Sequence, residues 1–236
     1  MSADFPRFAL FDLDGTLIDG VEDLVSAINV VLQAHQLAPL NRSMLEPMLG
    51  DGMRTLVFRA FTSRGFDLDQ AGHDDVYARF IQAYQNTGYQ HTRLYDGARH
   101  MLELLKSTGW NIGLASNKLT APCRKILGNL GVSSLFDAIV GSDLAPTQKP
   151  AGAHLGFALE CMGARAESAG VAVMVGDHRN DVNAARQIGI PVIAVSFNGN
   201  PQQAARLGAD CHVTGFAELH ARLCGFPPRS PLFRDK

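Results

Sequence analysis

Residues 7–20 read RFALFDLDGTLIDG, and this stretch decides the fold. A short apolar run ends in Asp12, Asp14 follows two positions on, and Gly15 and Thr16 stand directly behind. Burying a charge without a partner is expensive. The pair is therefore either a turn, since Asp-Gly is a strong turn dipeptide, or the edge of a site that a cation balances.

The same pattern recurs along the chain. Apolar runs stand at Asn111–Ser116 (NIGLAS), Ala138–Asp143 (AIVGSD), Val171–Asp177 (VAVMVGD) and Pro191–Phe197 (PVIAVSF). Continuous apolar runs of this length suit strands covered on both faces. Between them lie DGARHMLELLKSTG, APCRKILGNLG, AHLGFALECMG and RNDVNAARQIG, which carry apolar faces at helical spacing and close on Gly. Strands alternating with helices predict an α/β protein with a doubly wound parallel sheet. One interval breaks the rhythm, because nearly a hundred residues separate the first run from the second, far more than a crossover needs. Val21, Leu24, Val25, Ile28, Val31 and Leu32 fall at helical spacing there, as do Val76, Phe80, Ile81 and Tyr84, with MRTLVFRAFTSRG between them. The expectation is an α/β core of residues 1–15 and 93–226, an inserted all-helical domain of residues 16–92, and a poorly ordered C-terminal tail of residues 227–236.

Composition narrows the function. The 236 residues are 46% hydrophobic and 19% charged, with a formal net charge of −2. That is the composition of a globular protein, with no basic field for nucleic acid or an anionic membrane. No apolar run reaches spanning length and no long apolar stretch opens the chain, so the expected location is the cytoplasm. Cys123, Cys161, Cys211 and Cys224 stand far apart without metal-ligand spacing and read as small buried hydrophobes in a reducing compartment. Oligomeric state is not legible.

Ligands of an open parallel sheet bind at the carboxyl ends of its strands. The first run ends at Asp12 and Asp14, the second at Ser116-Asn117, and the fourth at Asp177, with Asp181 at the start of the next helix. Lys149 follows the third. Each alone has an ordinary reading as a turn, a cap or a solvated charge; together, in order, they define one rim. Carboxylates without His or Cys point to Mg²⁺ sharing its shell with a phosphate. An ionised carboxylate needs no base to attack phosphorus. Its obstacle is repulsion from the phosphate, which Mg²⁺ and Lys149 would relieve. Asp14 lies on the same side of an extended strand as Asp12, placed to protonate a leaving oxygen and then deprotonate water.

At these residues the sequence resembles the haloacid dehalogenase superfamily, over nearly the whole chain. DLDGT (Asp12–Thr16), Ser116, Lys149 before Pro150, and GDHRND (Gly176–Asp181) match its four motifs in order. The helical insertion is similar to its C1-type cap. SNK, KP and GADCHVTGFAEL are most similar to its phosphoglycolate phosphatase group. The resemblance implies Asp12 as nucleophile and Asp14 as general acid/base. It implies phosphate binding by Ser116 and Lys149, with Thr16 and Asn117 beside them. It further implies Mg²⁺ held by Asp12, the Asp14 main-chain carbonyl and Asp177, with Asp181 in support. LIDG, KPAG and His178 depart from the commoner motif forms without touching these residues.

The expected function is hydrolysis of a small phosphorylated metabolite, 2-phosphoglycolate foremost, through an aspartyl phosphate. The alternatives are a sugar or amino-sugar phosphate, or a phosphomutase similar to β-phosphoglucomutase. A dehalogenase would leave Asp14 without a task, because halide needs no proton. A signalling receiver needs a lasting aspartyl phosphate, which Asp14 is placed to destroy. For selectivity, Arg54 in LGDGMR is a candidate clamp for a substrate carboxylate, with an exposed helix arginine as its ordinary reading; His91 and Arg93 are weaker candidates. Trp110 reads as core rather than a stacking platform.

Overall fold

The strand that carries the opening stretch, β1 (Arg7–Phe11), lies inside a six-stranded parallel sheet rather than at its edge. Two-residue strands β2 (Ile18–Asp19) and β3 (Arg93–Leu94) follow it in sequence. The sheet continues with β4 (Trp110–Ala115), β5 (Ala138–Val140), β6 (Val171–Gly176), β7 (Val192–Val195) and β8 (Cys211–Val213), in the order β5-β4-β1-β6-β7-β8. The computed structural model describes residues 5–197, 205–229 and 231–233. By its contacts the chain forms two units, Met1–Ile18 with Leu94–Lys236, and Asp19–Arg93.

In the α/β unit, β1 pairs with β4 and β6, so Phe11 stands level with Leu114 and Val175. The ladder runs one step further, because the Asp12 amide donates to the Val175 carbonyl at 2.9 Å. In the same way the Ser116 amide donates to the Val140 carbonyl at 3.0 Å. Asp12, Ser116 and Asp177 thus leave neighbouring strands at one rim, and the parallel register alone brings them together. The expected strands hold apart from their ends, and β8 is an addition. It is three residues long and partly exposed at the sheet edge, so no continuous apolar run announced it.

Helices α5 (Ala98–Ser107), α6 (Thr120–Asn129), α7 (Gly152–Cys161), α8 (Arg179–Ile188) and α9 (Phe216–Cys224) flank the sheet. α5 buries Ala98, Met101, Leu102 and Leu105, the 3–4 spacing of one helical face. Leu155, Ala158 and Leu159 of α7 join Ala184, Ala185 and Ile188 of α8 in one cluster with Phe8, Leu10 and Met174 of the sheet. Trp110 is buried at the head of β4, as core.

The other unit is helical: α1 (Val21–Ala34), α2 (Arg42–Leu45), α3 (Met53–Thr62) and α4 (Gln70–Asn86). α1 buries Leu24, Ile28, Val31 and Leu32, and Phe80 stacks on Tyr84 within α4, their planes 4° apart. Asp23 is fully buried in the first turn of α1, where it accepts from the Thr92 hydroxyl at 2.8 Å and the His91 amide at 3.1 Å. One carboxylate therefore ties together the two ends of the unit. Its first residue is Asp19 rather than 16, because residues 13–18 fold back on themselves: the Ile18 amide donates to the Leu13 carbonyl and the Gly15 amide to the Ile18 carbonyl.

Two expectations need correction. The C-terminal segment is anchored where it is described: Arg229 bridges to Gly170, the Leu232 amide donates to the Ala166 carbonyl, and Leu232 and Phe233 are each 2% exposed. Its place at the terminus suggested a free tail, but two large apolar side chains hold it; residues 230 and 234–236 lie outside the described residues. The four cysteines are free, yet only Cys123 is buried, while Cys161 and Cys224 are exposed. Among the described residues, no helix is long and apolar enough to cross a membrane. Truncating a buried aromatic costs about 3–5 kcal/mol, so Phe233→Ala should lower the urea midpoint by the equivalent of about 3 kcal/mol without changing the slope. An unchanged midpoint would mean that the segment adds nothing to the core.

Candidate active site

Every residue of the site belongs to the α/β unit. β1 delivers Asp12 and the loop behind it, β4 delivers Ser116, Asn117 and Lys118, and β6 delivers Asp177. Asp181 sits in the first turn of α8, and Lys149 stands just before α7. The Lys149 ammonium lies 2.8 Å from Asp12 Oδ1 and 2.6 Å from Asp181 Oδ1, with its side chain 2% exposed. Asp12, Asp177 and Asp181 each place a carboxylate oxygen within 4.8 Å of the others.

Backbone geometry makes the cluster possible. Gly15 turns at φ +78°, and a Cβ there would meet Asp177 Oδ2 at 2.1 Å; only glycine permits both. Asp181 accepts from the His178 amide at 3.0 Å through Oδ2 while Oδ1 receives Lys149. The His178 ring accepts from the Asn180 amide, so the residue that departs from the commoner motif caps α8.

The electrostatics follow from crowding. Burial raises Asp177 well above the usual carboxylate range, Asp12 and Asp181 push it further, and Thr16 and Lys149 oppose them. A little of Asp177 remains accessible to solvent, but protein encloses it closely enough for burial to lead. Burial likewise raises Asp181 against the pull of Lys149. Burial would lower Lys149, yet Asp12 and Asp181 more than offset it and hold the ammonium above its ordinary value. One ammonium cannot balance three clustered carboxylates. Hard oxygen donors at this spacing, with a net negative charge and a glycine cradle, fit a divalent cation.

Two candidates face elsewhere than expected. The Thr16 hydroxyl, fully buried, donates to Asp177 Oδ1 at 3.1 Å. The Asn117 side chain forms a fork with the main chain of Lys149: its amide donates to the Lys149 carbonyl and its oxygen accepts from the Lys149 amide, each at 2.9 Å. Both support a neighbour with the side chain assigned to phosphate. Arg54, at the start of α3 in the helical unit, is ion-paired with Asp74 and lies 4.4 Å over the Tyr77 ring. The pair is a surface one, with about half of each side chain exposed. His91 meets Asp23 through its amide, and Arg93 donates to the carbonyls of Gln90 and Thr92.

Lys118 escaped the sequence reading. It is 3% exposed, and its ammonium lies 2.9 Å from Asp14 Oδ1. The available signal was a lysine two positions behind a strand end, in SNK. Cys123 lies beneath this corner; burial pushes its thiol up to about 12, Lys118 opposing, so it is packing and not a nucleophile.

Comparison with known proteins identifies the family. Residues 9–195 match the family model described as haloacid dehalogenase-like hydrolase. The chain is 35% identical over 209 residues to a phosphoglycolate phosphatase of Caulobacter vibrioides, covering 89% of this chain and 87% of that one. It is 34% identical over 226 residues to the enzyme of that name from Rhodospirillum rubrum, covering 94% and 92%. A crystal structure described as a predicted phosphoglycolate phosphatase from Haemophilus somnus is similar with a TM-score of 0.81 at 25% identity, covering 94% of this chain and 99% of that one.

Behind the site, His154 of α7 is fully buried, and among the described residues neither ring nitrogen has a hydrogen-bond partner of good geometry. Burial pushes it from 6.5 down to about 4, and Lys149 adds to that; the nearby backbone of Val140 and Thr147 favours the charged ring too weakly to reverse it. A depressed histidine is neutral in the folded protein while the unfolded chain takes up protons. Its contribution is therefore complete above pH 6.5 and is lost as pH falls from 6.5 toward 4. The stability of the wild type relative to His154→Leu, from urea unfolding at stepped pH, should fall by up to about 3 kcal/mol across that window. A difference independent of pH would show that the ring is solvated.

Proposed function

Since the chain belongs to the haloacid dehalogenase-like hydrolases and is a phosphatase of that family, we propose that it hydrolyses small phosphomonoesters, 2-phosphoglycolate foremost, through a phosphoryl group carried on Asp12. One observation carries the mechanism: a buried lysine bridges Asp12 and Asp181 at a rim where Asp177 completes an acidic cluster. The substrate rests on relatives named phosphoglycolate phosphatase at 34–35% identity over most of the chain.

An Asp12 oxygen attacks phosphorus, the bond from phosphorus to the ester oxygen breaks, and Asp14 gives that oxygen its proton. Asp14 then takes a proton from a water that attacks the aspartyl phosphate at phosphorus, which releases inorganic phosphate and restores Asp12. Lys149 and the Ser116 hydroxyl bind the phosphoryl oxygens; Asn117 holds Lys149 for this, and Thr16 holds Asp177. Asp12, the Asp14 main-chain carbonyl and Asp177, with Asp181 in support, would hold Mg²⁺, which would supply positive charge between the phosphate and Asp12. Arg54 stays outside this reading, held by Asp74 and Tyr77.

Across a panel of phosphorylated metabolites with Mg²⁺, kcat/KM should be highest for 2-phosphoglycolate. A sugar phosphate in that position would replace the substrate and leave the chemistry intact. Acid quench during turnover followed by borohydride should convert Asp12 to homoserine, read by peptide mass. Asp12→Asn should lose activity by about 10³-fold or more while remaining folded. An active enzyme that never yields homoserine at position 12 under saturating substrate would sink the covalent route.

Removing one carboxylate from the crowded cluster relieves repulsion and removes a cation ligand at once. Asp177→Asn should therefore raise the Tm of the metal-free protein by a few degrees at neutral pH and blunt the Tm increase on adding Mg²⁺. A wild-type response to Mg²⁺ would exclude Asp177 as a ligand.

A further inference from the structure

Two lysines are buried beside Asp12 and Asp14 of the opening stretch, and the reaction above uses only one of them. Lys149 takes Asp12, and Lys118 takes Asp14. Burying an ammonium costs several kcal/mol of desolvation, and a buried ion pair is weak evidence of stabilisation. The loop that carries Lys118 is built to hold it there. Its amide donates to Ser116 Oγ at 3.3 Å, and its carbonyl accepts from the Ser142 amide at 3.0 Å. Gly141 packs so closely that a Cβ would meet the Lys118 carbonyl oxygen at 2.6 Å and the Thr120 nitrogen at 2.3 Å. Thr120 is pinned in turn by Asp143, which accepts from its amide and its hydroxyl, each at 2.7 Å. Asp14 keeps 29% of its side chain accessible while the Lys118 side chain keeps 2%. The lysine thus forms the inner wall against which a more open carboxylate rests.

We propose that Lys118 is a positioning residue for proton transfer: by donating to Oδ1 of Asp14 it fixes the carboxyl plane and reserves Oδ2 for the proton. This rests on reading Asp14 as the acid and base of the reaction. The proton on Oδ2 passes to the ester oxygen as its bond to phosphorus breaks, and Oδ2 later receives a proton from the attacking water. An ammonium donates to Oδ1 in both states of the carboxyl group, so the plane is kept through the cycle.

The test uses kcat/KM, which covers steps only through release of the alcohol, for two substrates in the presence of Mg²⁺. Ethyl phosphate needs a proton on its leaving oxygen; p-nitrophenyl phosphate does not. Lys118→Met should lose about 10²-fold on ethyl phosphate, the lower range for general acid catalysis, and less than about 3-fold on p-nitrophenyl phosphate. Asp14→Asn should show the same selectivity, and adding Lys118→Met to it should change the ratio of the two substrates no further. Equal losses by Lys118→Met on both substrates, or no loss, would overturn the positioning role while leaving Asp14 intact. Equal losses by Asp14→Asn would overturn the acid reading and this proposal with it. If Lys118→Met does not fold, Lys118→Gln carries the test: its amide still donates to Oδ1, and its substrate ratio should fall between wild type and Asp14→Asn. A ratio outside that interval counts against the proposal.

Discussion

Negative charge buried at the carboxyl ends of a parallel sheet is the constraint on which the rest of the α/β unit depends. Asp12, Asp177 and Asp181 crowd within 4.8 Å, in a place where a single unpaired carboxylate would be costly. Lys149 answers part of that charge and cannot answer all of it. The residues around the cluster are chosen accordingly: glycine where a Cβ would strike Asp177, a threonine hydroxyl directed at the same carboxylate, an asparagine clamped to the main chain of the lysine. A fold optimised for stability alone would place apolar residues there. A site that meets a phosphate and a cation has to keep the tension.

The supports come from far along the chain. Asn117 grips Lys149 across 32 residues, and Lys118 reaches Asp14 across 104. Such links are affordable because parallel strands deliver their ends to one rim, so long-range geometry reduces to short loops on a rigid sheet. All the clustered residues lie in one unit, and the insertion of Asp19–Arg93 interrupts the sequence after β1 without supplying any of them.

Much of this was legible in the sequence, for identifiable reasons. Apolar runs ending in Asp12, Ser116 and Asp177 betrayed both the parallel sheet and the rim, since one signal encodes strand and site together. The helical insertion showed itself through spacing at Val21–Leu32 and Val76–Tyr84. What failed to show was direction. Thr16 and Asn117 lie beside the acidic cluster, but nothing in residue type says whether a hydroxyl or an amide faces ligand or neighbour. The position of Lys118 in SNK gave too weak a signal, because lysine is normally solvated; its burial singles it out. Leu232 and Phe233 lie at the terminus, where position argued for disorder and packing decides otherwise. β8 was too short and too exposed to give a period.

Asp181 joins two requirements in one side chain, with Oδ2 closing the first turn of α8 and Oδ1 holding Lys149. An exchange that removes both oxygens alters helix initiation and the charge balance of the rim together. A second-site change that restores the helix start does not restore this contact to Lys149, which keeps only Asp12 and the Asn117 fork, and one that restores charge does not restore the helix start. His178 beside it stands in a simpler position, since its ring makes a cap that another capping side chain could supply.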